Sequence, residues 1–266
     1  MADRLMQALC ALDEVERTAR RRSPLKQIDA RAKAIVTIVF LCTMLSMPID
    51  RLSELMLFTI YPLLAARMGG MNYAAMVRNS LLVVPFAALI ALPNIFYDRV
   101  PMFLVGELVI TRGWISLVSI ILRGVLSVQA VMVWIGSTGT YQSVRALQRL
   151  GMPSLFASQI FLTMRYIRLI IDQALQMRRA RDARSFGRQS YPLRLWAMLV
   201  GELLLRSVKR GEAIGYAMAA RGFESSMPAI ALHYQDRWRR RDTLYTILCS
   251  TTLILIRILH LSERIF

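Results

Sequence analysis

The sequence is poor in the residues that form metal sites and disulfides. Its 266 residues include three cysteines and two histidines. Cys10, Cys42 and Cys249 are far apart and form no CxxC pair, and His233 and His260 show no HxxxH or HExxH spacing. The spacing therefore does not indicate a disulfide framework, and we predict no metal site in this chain.

The sequence also lacks a phosphate-binding loop and a recognisable cleavable leader. No GxxxxGK segment occurs, so we expect no ATP or other cofactor to be bound by this chain itself, and no catalytic residues. Arginines at 20–22 precede an apolar run, but no small-residue cleavage site follows, so no removed signal peptide is expected.

Acidic residues are scarce relative to basic ones. The chain has 34 Lys and Arg against 17 Asp and Glu, a net charge of +17, yet it is 56% hydrophobic with a mean hydropathy of +0.44. Basic residues can neutralise nucleic-acid phosphates. Here, however, long apolar stretches interrupt the charge, which favours a membrane protein over a soluble enzyme or a nucleic-acid partner.

Five apolar stretches are predicted to cross a membrane, because a bilayer core of about 30 Å needs roughly 20 mostly apolar residues. They are 34–49, 52–66, 80–97, 114–136 and 243–261. Prolines 62, 85 and 93 in the second and third spans predict a kinked, packed bundle. Arg123 and Arg257 lie within spans, where a charge must face protein or water or extend to the interface.

The distribution of basic residues predicts the orientation. Segments 1–33, 67–79 and 141–242 hold eight, two and eighteen Lys and Arg, whereas the intervening loops hold one, two and one. By the positive-inside rule the first set is cytoplasmic, which places the amino terminus inside and the carboxyl terminus outside. The predicted organisation is a cytoplasmic segment 1–33, spans over 34–140, a cytoplasmic domain 141–242, and a last span with an external tail over 243–266.

The cytoplasmic domain is predicted to contain two long amphipathic helices. One begins near Pro153 and ends near Gly187, and the other runs from Pro192 to Gly222. Each of roughly 30 residues would span about 45 Å. The fold class is thus an all-α membrane protein with about five transmembrane helices and a domain of long helices that suit docking.

The ends of these two helices repeat a short pattern. Residues 180–186 read ARDARSF and residues 217–223 read AMAARGF, so two alanines, an arginine and a phenylalanine align. One interpretation needs no partner, because an arginine in a last helical turn complements the helix dipole. The other is that small side chains let each tip approach a partner while a guanidinium reaches its carboxylates. The candidate residues are Ala183, Arg184 and Ser185 at the first tip and Ala220, Arg221 and Gly222 at the second.

A GxxxG pair lies on the second helix. Gly211 and Gly215 belong to a stripe of small residues recurring every four positions. Such a stripe permits close helix packing. Two possibilities stay open, a sliding contact with a partner and static packing within this chain.

At these residues the chain resembles the transmembrane T component of energy-coupling factor (ECF) transporters, which are related to ABC transporters. The two Ala-Arg-x tips look like the coupling motifs of that family, and residues 177–187 look most like its cobalt and nickel branch. The family commonly has proline where this chain has Ala30. Further matching residues are Ser23, Pro24, Asp29, Arg31, Lys33, Ala146, Leu147, Leu150, Gly151, Pro153, Arg165, Tyr166, Leu205, Arg206, Ser207, Arg210, Ala217 and Met218.

The resemblance implies a non-catalytic scaffold in a bacterial or archaeal cytoplasmic membrane. Its partners would be two ABC-type ATPase subunits, which bind ATP and magnesium, a small substrate-binding membrane subunit, and membrane lipid. Arg184 and Arg221 would dock in grooves on the ATPases. Two other classes remain open: a stand-alone permease or channel, which predicts ionisable residues converging within the spans, and a membrane anchor whose basic helices bind anionic lipid.

Overall fold

The computed structural model describes residues 24–48, 52–97, 101–105, 108–185, 192–223 and 238–262. Cys10, His233, Gly187 and the arginines at 20–22 lie outside these residues. Contacts divide the chain into two units. We call residues 15–146 with 236–266 the bundle unit, and residues 1–14 with 147–235 the coupling unit.

The described chain is mostly helical, as predicted. The helices of the bundle unit are α1 (Ala30–Leu45), α2 (Leu52–Phe58), α3 (Ile60–Met68), α4 (Tyr73–Ser80), α5 (Val84–Tyr97), α6 (Arg112–Thr138), α7 (Thr140–Arg149, whose last three residues belong to the coupling unit) and α10 (Arg240–Ser262). Short 3-10 helices cover Pro24–Gln27 and Leu81–Val83. The coupling unit contains α8 (Ser154–Arg184) and α9 (Leu193–Ala220).

The all-α prediction needs one correction. Strands β1 (Pro101–Val105) and β2 (Leu108–Thr111) pair antiparallel in the stretch read as a loop between spans. Valine, isoleucine and phenylalanine are concentrated there, and residues 106 and 107 separate the two runs, so the composition suits a hairpin.

Prolines divide the second and third predicted spans. Thr59 separates α2 from α3, three residues before Pro62, which has no N–H to donate to the carbonyl of Phe58. The 3-10 turn Leu81–Val83 precedes Pro85 in the same way, whereas Pro93 lies inside α5. The predicted interruptions are therefore present at two of the three prolines.

Helix α6 lies at the centre of the bundle unit, packed against α1 and against α2 to α5. The main cluster of buried side chains includes Phe40, Phe58 and Leu126. The ring of Phe40 stacks on Tyr61 with centroids 4.8 Å apart and contacts Phe58 at 5.8 Å. Leu253 of α10 belongs to the same cluster, so side chains from the first and the last helix share one core.

Two aspartates fix the starts of α1 and α10. The Asp29 carboxylate accepts a hydrogen bond from the Arg31 N–H at 2.9 Å, and α1 begins at Ala30 without the proline common in the family. Asp242 is 1% exposed and accepts bonds from the N–H groups of Asp29 at 2.8 Å and Arg239 at 2.7 Å. Asp242 thus caps its own helix and binds it to the start of α1.

Three described helical runs are long and apolar enough to cross a membrane: Tyr73–Ile95, Arg112–Thr138 and Ser154–Arg184. The first covers most of the third predicted span, 80–97, and the second includes the fourth, 114–136. The third is α8, predicted as a cytoplasmic helix, whose amino-terminal half is apolar and whose carboxyl-terminal half carries most of its arginines. The cytoplasmic position of α8 thus remains a prediction.

Candidate functional site: two helix tips and the groove between their helices

The first helix tip follows the last turn of α8. This helix ends at Arg184, three residues before Gly187. Ser185 closes it, because its N–H and its hydroxyl both donate to the carbonyl of Asp182, at 3.1 and 2.8 Å. The side chains of Ala183 and Arg184 are exposed. Phe186 of the repeated pattern lies outside the described residues.

The second tip ends α9 through a left-handed glycine, as the sequence predicted. Gly222 has φ +72°, which an L side chain adopts only with strain. Its N–H donates to the carbonyl of Ala219, and the N–H of Phe223 donates to the carbonyl of Met218, both at 3.0 Å. This pair of bonds is a Schellman motif, which fixes the chain direction immediately after Arg221.

The two candidate arginines occupy slightly different places. Arg184 is the last residue of α8, whereas Arg221 is the first residue after α9. Both are exposed, and neither forms an ion pair with a described residue. Both guanidiniums thus lie at the carboxyl ends of long helices, where the helix dipole favours a positive charge.

Helices α8 and α9 pack against each other, and a groove of about 710 Å³, open to solvent, lies between them. It is lined by Leu169, Asp172, Gln173, Gln176, Met177, Ala180, Arg181 and Arg184 of α8, and by Leu199, Arg206 and Arg210 of α9. The lining therefore contains four arginines and one carboxylate, that of Asp172. Sequence reasoning missed this groove, although the helical spacing of the arginines on each helix was a usable signal.

The other side of α9 is not covered by any part of the chain that the structure describes. Gly211 and Gly215 are exposed, and apart from the adjacent residues and the helix's own backbone, no described atom lies within 4 Å of where a Cβ on either would be. At 100° per residue their stripe lies about 140° around the helix from Arg206 and Arg210. Leu204 and Val208 are exposed on the same side. The described residues thus supply no packing partner for the GxxxG pair.

The bundle unit contains polar side chains that hydrogen-bond within it. Arg123 of α6 donates to the carbonyls of Met47 and Pro48 at 2.8 and 2.9 Å. Of the settings expected for a charge within a span, Arg123 therefore has the one that faces protein. Gln129 donates to the Ser80 hydroxyl at 3.3 Å, and Asn94 donates to Ser116. These hydrogen bonds join α6 to α4, to α5 and to the segment that follows α1.

The described residues contain no group of three or more histidines, cysteines or acids that could hold a metal ion. His260 lies in α10, and nothing is described of its side chain. No metal ligand can therefore be assigned among the described residues.

The apolar helices define a membrane protein, and comparison with known proteins narrows its class. The family model for the cobalt transport protein CbiQ matches residues 21–230, so the chain belongs to that family. An uncharacterized protein of Methanocaldococcus jannaschii is 24% identical over 254 residues, covering 90% of this chain and 85% of that protein. The chain is therefore a membrane component of a transport system, in a family of transport proteins rather than catalysts.

Proposed function

We propose that the chain is the T component of an ECF-type ABC importer for cobalt or nickel. In this role it couples ATP hydrolysis by two cytoplasmic ATPase subunits to movement of a substrate-binding membrane subunit. The observation that carries this proposal is the pair of exposed arginine tips, Ala183-Arg184-Ser185 and Ala220-Arg221-Gly222, on two packed helices of a cobalt transport family member.

The tips are suited to transmit motion. Arg184 and Arg221 extend from the ends of helices of 31 and 28 residues, which are about 47 and 42 Å long. A guanidinium forms paired hydrogen bonds with a carboxylate, and the neighbouring alanines leave room for close approach. When two ATPases close on ATP and reopen, grooves holding these arginines would move the helix ends with them.

The uncovered side of α9 is where the substrate-binding subunit would pack. Exposed Leu204 and Val208 supply apolar area, and Gly211 and Gly215 allow another helix to come close. A small apolar membrane protein matches this surface better than a charged partner does. Movement of α9 would then tilt that subunit and present the metal ion, which is the transported substrate.

The proposed setting is the cytoplasmic membrane of a bacterium or archaeon, with the amino terminus and the coupling unit in the cytoplasm. The excess of Lys and Arg in segments 1–33 and 141–242 supports this orientation. ATP and magnesium are bound by the ATPases, where hydrolysis takes place. The scaffold's own contribution is mechanical.

The test is affinity purification of the tagged, full-length chain from solubilised membranes, with mass spectrometry of its partners. The variant is Arg184→Glu with Arg221→Glu. The control is Arg194→Glu with Lys209→Glu, because both residues are exposed on α9 and the change in charge is the same. We expect wild type and control to retain the ATPases and the tip variant to lose them.

The same experiment separates the competing classes. Equal ATPase recovery from wild type and tip variant would contradict docking by Arg184 and Arg221. Equal losses in the tip variant and the control would point to total charge, as in a lipid anchor. A chain that purifies alone in every form would favour a stand-alone permease, which ion flux after reconstitution would reveal.

A further inference from the structure

The groove between α8 and α9 has a charge pattern that docking of the two tips does not explain. Arg181 and Arg184 line it from α8, and Arg206 and Arg210 line it from α9, with Asp172 as the acidic residue among its lining. Only Arg184 of these belongs to a tip. Arginines that line one groove repel each other unless anions, either acidic side chains or a bound ligand, neutralise them.

Part of this charge is not neutralised by neighbouring residues. Arg206 pairs with Glu202 at 2.7 Å, and Arg181 lies 3.8 Å from Asp182. Arg184 and Arg210 form no ion pair with any described residue. One unpaired guanidinium from each helix therefore lines the same groove.

We propose that this groove binds a phosphate-bearing anion, either a phospholipid headgroup or a soluble phosphate. Guanidiniums give paired, directional hydrogen bonds to phosphate oxygens, and several around one space suit a group with more than one charged oxygen. A volume of about 710 Å³ accommodates a headgroup or a nucleotide-sized ligand. Leu169, Met177 and Leu199 add apolar lining that an acyl chain or a base can contact.

The test uses the full-length chain in a neutral detergent and the variant Arg210→Gln. Arg210 lines the groove and belongs to neither tip. Lys209→Gln is the matched control, because Lys209 carries the same charge but lies about 100° around the helix and does not line the groove. Arg210→Lys keeps the charge and removes the guanidinium fork.

Two arms distinguish the sources of phosphate. In the first, native mass spectrometry compares phosphatidylglycerol with phosphatidylcholine as added lipid. In the second, calorimetry follows titration with inorganic phosphate and with ADP. Binding of phosphatidylglycerol alone assigns a lipid headgroup, and binding of phosphate or ADP assigns a soluble ligand. Circular dichroism and gel filtration establish that the variants are folded.

We expect Arg210→Gln to weaken binding by about tenfold or more, since a charge-assisted hydrogen bond is lost. Arg210→Lys should be intermediate, and Lys209→Gln should change affinity by less than about twofold. Absence of binding in both arms would overturn the assignment. Equal losses of affinity for Arg210→Gln and Lys209→Gln would also overturn it, because they would indicate general surface charge. So would succinate, a dianion without phosphate, if it bound as tightly as phosphate does.

Discussion

The bundle unit and the coupling unit cover their side chains to very different extents. In α1, nine of 16 residues are buried, Lys33 among them. In α8 three of 31 are buried, Ala157, Ser158 and Leu175, and in α9 none of 28 is. The bundle thus supplies its own core, whereas the described residues of the coupling unit bury few side chains of α8 and none of α9. Isolated long helices depend on packing for most of their stability, and the described residues of the coupling unit leave both helices largely uncovered.

The largest expected effect lies in the bundle, at Asp242. Asp242→Ala removes a buried carboxylate that accepts bonds from the N–H groups of Asp29 and Arg239, which should cost about 2–4 kcal/mol in free energy of unfolding. Asp182 is 46% exposed and pairs with arginines of α8, so Asp182→Ala should cost no more than about 0.5 kcal/mol. Thermal unfolding in detergent measures the stability of both variants. Equal decreases in melting temperature would show that the two units do not differ in how much a buried and an exposed aspartate stabilise them.

A second, smaller effect separates two arginines within the predicted spans. Arg123→Leu removes hydrogen bonds to two carbonyls just beyond the end of α1, with an expected cost of about 1.5–3 kcal/mol. Arg257 makes no hydrogen bond to a described residue, so we expect Arg257→Leu to change stability by less than about 0.5 kcal/mol. Denaturation in mixed micelles compares them. A greater loss at Arg257 would show that the bundle depends on a contact beyond the described residues.

The smallest effects are local and lie on α9. Gly222→Ala forces a side chain into positive φ, at a cost of about 1–2 kcal/mol, and should fray the second tip. Gly211→Ala is in a helix interior with open space around it and should stabilise α9 by about 0.5–1 kcal/mol. Amide hydrogen exchange over the last turn of α9 reports both. Faster exchange in Gly211→Ala would contradict the open surroundings of that glycine.

The sequence predicted what depends on local pattern. Apolar runs predicted helices where α5, α6 and α10 lie, and the glycine at 222 predicted the end of α9, since few other residues adopt its φ. The end of α8 came earlier than predicted, because the Ser185 hydroxyl closes that helix before Gly187.

What the sequence did not predict depends on residues far apart in the chain. The bond from Asp29 to Asp242 joins positions separated by 213 residues, and no local spacing indicates it. The groove was missed for a related reason. Arg184 and Arg210 come together only because α8 and α9 pack, and the sequence alone does not define the angle of that packing.

The pairing of α1 with α10 also bears on the order in which the protein is made. At about 5–20 residues per second, the ribosome needs about 10–40 s to go from Asp29 to Asp242. During that interval α1 is synthesised without the helix that covers Phe40 and Met44 through Leu253. The early helices must therefore wait in the insertion machinery or in lipid with part of their core open. A chain whose synthesis stops before α10 would be a natural substrate for membrane quality control.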